Sequence, residues 1–324
     1  MKKGKPAAVS NPAFLWTVLT GIFLALVSAG CGEGDMPDGQ AETAISAITV
    51  TPKDRKIVTE SVDKDIDTES VEKIAEKRKK IIEEAVVALS ETRKALRALD
   101  EEKTEEALAA LEKATGKLEL ILARQPDLAL APTDMAVTTL DLLTTLENIM
   151  KAKDQARNAL EDGDVQEARA LLSKLGSEIV IQVTNIPLAT YPNAIKAVTP
   201  LIDKGRLEEA KVALAAALNT LVVTEHVIPL PVLRASAMLA SADELAEQEN
   251  RTDDDNEKLA NLIENARYQL KMAEALGYGD DSDYKGFYEQ LDLIERKTEG
   301  GKSGKGFFDD IQGSIEKLKK SLYK

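Results

Sequence analysis

Apolar residues begin to fall at helical spacing at Val71. Ala75, Ile82, Leu89 and Leu96 recur every seven residues, with Ala85, Val86 and Leu99 joining them, which predicts one long amphipathic helix. Lys77, Arg78, Lys79 and Lys80 stand among Glu72, Glu76, Glu83 and Glu84, so this charge run reads as exposed ion pairing rather than a binding patch. Thr104 followed by Glu105 and Glu106 predicts a second helix start, with an oxygen cap and acids at the positive end of the dipole. That helix buries Ala107, Leu108, Leu111, Leu118 and Ile121 and stops before Pro126. A third is expected from about Thr133 to Asp162, ended by Gly163.

The stretch from Gly163 to Leu230 matches itself at a shift of 42 residues. Gly163 meets Gly205, Glu167-Ala168 meets Glu209-Ala210, Leu172 meets Leu214, and Ile186-Pro187-Leu188 meets Ile228-Pro229-Leu230. Each unit reads as helix, Gly turn, helix, β-branched run and Pro joint, the Pro bending the chain because it lacks a donor and restricts the residue before it. Two clear units are fewer than an open solenoid needs, so a closed bundle built by duplication is expected. The runs Ile179–Val183 and Leu221–Thr224 have strand propensity, yet each continues a helical period, and they are read as buried helix ends.

Asn250–Asn256 is a polar break. A helix from Asn256 to Leu276 follows, capped by Gly277, and a last amphipathic helix carries Ile311, Ile315, Leu318 and Leu322. Tyr268, Tyr278, Tyr284, Phe287, Tyr288, Phe307, Phe308 and Tyr323 gather in this region. They read as a small aromatic core that docks helices onto the bundle, the alternative being a ligand-contact surface.

The N-terminus breaks the helical pattern. Lys2, Lys3 and Lys5 precede an apolar stretch from Ala13 to Val27, then Ser28-Ala29-Gly30-Cys31. A basic start, an apolar centre and small residues before a cysteine form an export signal similar to a bacterial lipobox, with Cys31 as the lipidation site. An uncleaved anchor and plain secretion are the other readings of the same run, and all three place the rest of the chain outside the cytoplasm. Ser28 departs from the aliphatic residue usual there. Residues 31–70 are polar and acidic and read as a flexible tether, with a weak strand signal at Ile45–Val50.

Charge narrows the partners. The chain of 324 residues is 30% charged with a formal net charge of −14, and loss of the three signal lysines takes it to −17. Such a chain repels nucleic acid. One cysteine and one histidine rule out a disulfide framework and a multi-histidine metal centre within the chain.

Little catalytic chemistry is visible, and no catalytic residue, metal site or cofactor is assigned. Gly300-Gly301-Lys302-Ser303 lacks the upstream glycine of a phosphate loop, because Arg296 stands there. Asp281-Ser282-Asp283 with Gly286 and Asp292 partly matches a calcium loop, but Lys285 occupies a ligand position, leaving a capped loop as the better reading. His226, beside Glu225, is open to three roles: proton shuttle, acid sensor or structural histidine. Its counterpart in the other unit is Thr184.

The Glu-Ala repeats, Leu188-Ala189-Thr190-Tyr191-Pro192, Gly205 with Glu209-Ala210, and Thr224-Glu225-His226-Val227-Ile228-Pro229-Leu230 ahead of an Ala-rich helix together resemble the YfdX family, over roughly Val71 to Glu247. The resemblance implies an exported, all-helical bacterial protein associated with envelope stress, and it brings no catalytic residues.

The expected architecture is all-α: a helical bundle with an internal helix-hairpin duplication and a C-terminal helical extension. Its expected divisions are a signal at 1–30, a tether at 31–70, a YfdX-like domain at 71–249 and the extension at 250–324. The expected function is non-enzymatic: a lipid-anchored envelope protein facing the periplasm or exterior, binding a peptide or protein partner. The candidate site is a groove between the two Pro joints lined by Ile186, Pro187, Ile228, Pro229 and His226. Self-association into an envelope assembly, or a pH-responsive small-molecule binder, is the alternative.

Overall fold

A computed structural model describes residues 59–323, with side chains from residue 68 onward. The export signal, Cys31, the Ile45–Val50 run and most of the tether lie outside the described residues. Within them the chain is predominantly helical, with eleven α-helices and one three-stranded sheet.

The long first helix divides in two. Helix α1 (Thr59–Lys79) ends in Lys77, Arg78 and Lys79, and α2 (Glu83–Asp100) begins on Glu83 and Glu84. Cations at a C-terminus and acids at an N-terminus both complement the macrodipole, so this charge run marks a break. Ile82 between them is extended, and its N–H donates to Pro132 O at 3.0 Å. Helix α3 (Thr104–Arg124) follows, burying Ala107, Ala110, Leu111, Leu118 and Ile121.

Thr133 does not begin a helix. Residues Leu130–Leu140 form strand β1, and α4 starts only at Leu146 (Leu146–Asp162). The Thr-rich, β-branched run ending in Thr138-Thr139-Leu140 has no apolar stripe of period 3.6, and tertiary pairing settles it as strand. The two ambiguous runs are strands as well, not helix ends. After α5 (Val165–Leu172) comes β2 (Glu178–Pro187); after α6 (Tyr191–Asp203) and α7 (Leu207–Leu218) comes β3 (Val222–Pro229). The order is β1-β2-β3, antiparallel throughout. Backbone ladders satisfy the carbonyl acceptors that a helix C-terminus would leave open, which is why strand propensity wins here.

The sequence duplication becomes threefold in space. The units are α2–α3–β1, α4–α5–β2 and α6–α7–β3. Each hairpin turns on a left-handed residue, Glu102, Gly163 or Gly205, and continues into Glu-Ala, at Glu106-Ala107, Glu167-Ala168 and Glu209-Ala210. The first unit escapes a fixed-period search because α3 has 21 residues where α5 has 8 and α7 has 12.

One core joins α2 and α3 to α6 and α7, with Leu99, Leu111, Ile186, Tyr191, Ile195 and Leu214 fully or almost fully buried. A second lies on the opposite face of the sheet, where Ile179, Ile181, Val183 and Ile228 meet Leu233 and Ala237 of α8 (Leu230–Glu247). The other face of α8 enters a third core with α9 (Asp253–Leu276), α10 (Asp281–Thr298) and α11 (Asp309–Leu322). Tyr284, Phe287 and Phe308 are buried there, the first two packed edge to face with centroids 5.9 Å apart. The Asp281-Ser282-Asp283 segment is the first turn of α10, capped through Asp280 and Asp283.

Candidate functional site

Antiparallel pairing separates the residues that the duplication relates. Pro229 pairs with Glu178 at one end of β2, whereas Pro187 at the other end pairs with Leu130. The joints stand nine residue steps apart along β2, about 30 Å. Ile186 enters the α2/α3/α6/α7 core, and Ile228 enters the core beneath α8. Both are buried, so Ile186, Pro187, Ile228 and Pro229 do not border one groove. Each joint is instead a corner: the next leucine returns its N–H to the chain just before the preceding strand, Leu188 to Ala129 O at 3.0 Å and Leu230 to Ser177 O at 2.9 Å.

The same geometry splits Glu225 from His226. Successive strand residues alternate faces. Glu225 accepts from Gln182 Nε2 on one face at 2.7 Å, while His226 lies opposite Ile181 on the other. There the Lys77 ammonium sits 3.0 Å from Nε2 and 3.2 Å from Nδ1. An ammonium has only donors, so the imidazole accepts. Burial pushes the Lys77 ammonium below its usual range, with Lys80 and Lys73 adding repulsion. The histidine thus ties α1 to the sheet. Thr184 faces the other way, and its carbonyl accepts from Thr133 Oγ1 at 2.9 Å.

A second tie lies in a cleft of about 620 Å³ between α1 and α11. Lys319, its side chain only 5% exposed, donates to Glu69 Oε2 at 2.8 Å, Ser236 Oγ at 2.9 Å and Glu316 Oε1 at 3.1 Å. All three protons are committed, so this lysine fastens α1 and α8 to α11 and is not an available base. The Tyr323 hydroxyl at the cleft wall is buried without a hydrogen-bond partner, and burial with Glu69 and Glu316 nearby raises its pKa. Farther along the sheet, Tyr278 donates to Glu178 Oε2 at 2.7 Å and accepts from Ser177 N–H at 3.0 Å, tying the C-terminal helices to β2.

The surface that the sequence reading missed is the α4–α5 hairpin. In its sister, α6–α7, Ile202 is 5% exposed and Leu214 fully buried, covered by the α2–α3 hairpin. The repeat equivalents on α4–α5, Leu160 and Leu172, are 52% and 47% exposed, with Met150 and Val165 exposed beside them. Only Ala156, Ala159 and Ala168, with Leu171, pack the hairpin against itself. The signal was present as apolar residues shared between the two units, although sequence alone does not say which copy is covered.

Among the described residues, no cluster of three His, Cys, Asp or Glu side chains is placed to hold a metal ion, and no helix is long and apolar enough to cross a membrane.

Residues 88–227 match the YfdX family, described as YfdX protein. The match runs from within α2 to within β3, taking in nearly all of the three hairpin–strand units and leaving out α1 and α8–α11. A solved structure of Salmonella Typhi YfdX aligns at 16% identity over 46% of this chain and 93% of that chain, with a TM-score of 0.32. No curated protein matches the chain.

Proposed function

Starting from membership of the YfdX family through residues 88–227, we propose that this chain is a non-enzymatic, lipid-anchored protein of the cell envelope that binds a partner protein through its α4–α5 hairpin. Cys31 carries the lipid, the tether holds the body off the membrane, and the setting is the envelope stress implied by the family resemblance. The observation that carries the binding reading is the contrast between Leu160 and Leu172, both half-exposed, and their covered equivalents Ile202 and Leu214. The sister hairpin is covered by a pair of helices, so the partner is expected to offer a helical segment with an apolar stripe.

The test is photo-crosslinking in living cells from a reactive residue at Val165. The expected result is one foreign envelope protein, lost in a Leu160→Glu/Leu172→Glu double variant and absent from a probe at exposed Glu112. That protein, once purified, should bind the chain through a helix-forming segment. Adducts indifferent to the double variant, or self-adducts only, overturn the reading.

A further inference from the structure

Strand β1 pairs with β2 on one side only, so its other side is an edge of the sheet. Sheet edges are commonly blunted by lysines, prolines or bulges, because open backbone groups recruit other strands. Here those devices sit at one end. The bulge lies between Pro132 and Asp134, and Pro132 O already accepts from Ile82 N–H.

Beyond it, Met135-Ala136-Val137-Thr138-Thr139-Leu140 contains no charge. The Met135 N–H is taken by the Asp134 carboxylate at 2.8 Å and so points away from β2. Alternation then turns the N–H and C=O groups of Val137 and Thr139 outward as well. Val137 is 39% exposed although it shares a face with the fully covered Ile181, and Ala136, Thr138, Thr139 and Leu140 are exposed too.

We propose that this edge pairs with the same edge of a second copy, antiparallel about a two-fold axis at Val137, joining two three-stranded sheets into one of six strands. Two features select a second copy as the occupant. A chain of net charge −14 repels itself over most of its surface, so two copies approach best along a charge-free strip. The self-pairing is also complementary: Val137 meets its own counterpart, Met135 meets Thr139, Ala136 meets Thr138, and Asp134 meets Leu140. No like charges are opposed, and residues of each pair share a face, as antiparallel pairing requires.

Sedimentation of the full-length Cys31→Ser chain from about 1 to about 200 µM tests this, the range suiting a small edge interface. A concentration-dependent monomer–dimer equilibrium is expected. Val137→Lys sets two ammoniums against each other, and Thr139→Pro removes an outward donor; each should weaken dimerisation about tenfold or more. Both variants should keep the wild-type circular dichroism spectrum, which separates a lost interface from a lost fold. Val137→Cys in the same background should form a disulfide-linked dimer. The Leu160→Glu/Leu172→Glu variant should dimerise normally, so this result stands apart from the hairpin reading. A chain monomeric throughout, or a dimer indifferent to both edge variants, overturns the proposal.

Discussion

Replacing Glu102 with glycine should stabilise the protein. Glu102 has φ 58° at the position where the other two units place Gly163 (φ 86°) and Gly205 (φ 70°). In all three hairpins the next N–H reaches back five residues: Lys103 to Ala98 O at 2.8 Å, Asp164 to Ala159 O at 2.7 Å, and Arg206 to Leu201 O at 2.9 Å. The shared bond shows that the three turns have one geometry, so Glu102 bears the cost that the glycines avoid. A left-handed conformation costs a side-chain-bearing residue roughly 1–2 kcal/mol, and glycine gives back about 0.5–1 kcal/mol through its freer unfolded chain. Glu102→Gly should therefore gain about 0.5–1 kcal/mol, the difference between those terms. The reciprocal change, Gly205→Ala, meets no atom within 4 Å of the added carbon, so its cost is backbone conformation alone, about 1 kcal/mol. Urea unfolding at matched slope measures both. A Glu102→Gly chain less stable than wild type, or a neutral Gly205→Ala, would refute the shared-turn argument.

Two further outcomes follow from buried polar groups. Lys319→Ala leaves Glu69 and Ser236 without their shared donor; because Glu69 is part-exposed, the loss should be about 2 kcal/mol rather than the full cost of a broken buried pair. It should show as faster hydrogen exchange in α1, and unchanged exchange there would count against the latch. Asp243, raised above its usual pKa mainly by burial, carries a penalty when ionised, so the stability it contributes is lost as pH rises through its folded value. Asp243→Asn, which keeps an acceptor for Gln312, should raise neutral-pH stability slightly, the part-exposed carboxylate being screened by solvent, and lose that advantage on acidification to below pH 3.8. Melting curves across pH check this, and a gap that widens on acidification would contradict the sign.

What the sequence made legible was local and periodic. Helix faces such as Ala107, Leu111 and Leu118, the Gly163, Gly205 and Gly277 stops, and the 42-residue duplication all rest on interactions within a turn or between similar units. What escaped depended on distant partners. Ile179–Val183 becomes strand because β1 and β3 flank it, and neither pairing is written in the run itself. The break between α1 and α2 was legible in Lys77-Arg78-Lys79 followed by Glu83-Glu84, but a strong seven-residue apolar repeat masked it. The Pro-joint groove failed for a topological reason: antiparallel pairing puts the two joints at opposite ends of β2, and the register puts Ile186 and Ile228 on opposite faces of the sheet.

That topology also bears on where partners are expected. The first and third hairpins close on each other and form the main core, leaving the second, α4–α5, with half-exposed leucines at the positions its sister buries. Only the middle strand has a neighbour on both sides, and β1 and β3 are the two edges of the sheet. The half-exposed face of α4–α5, whose α4 is docked on α9 through Ile149, and the β1 edge come from different units. A partner on α4–α5 and a second copy on β1 would use separate surfaces, so changes at Leu172 and at Val137 should act independently, with additive effects on binding and dimerisation.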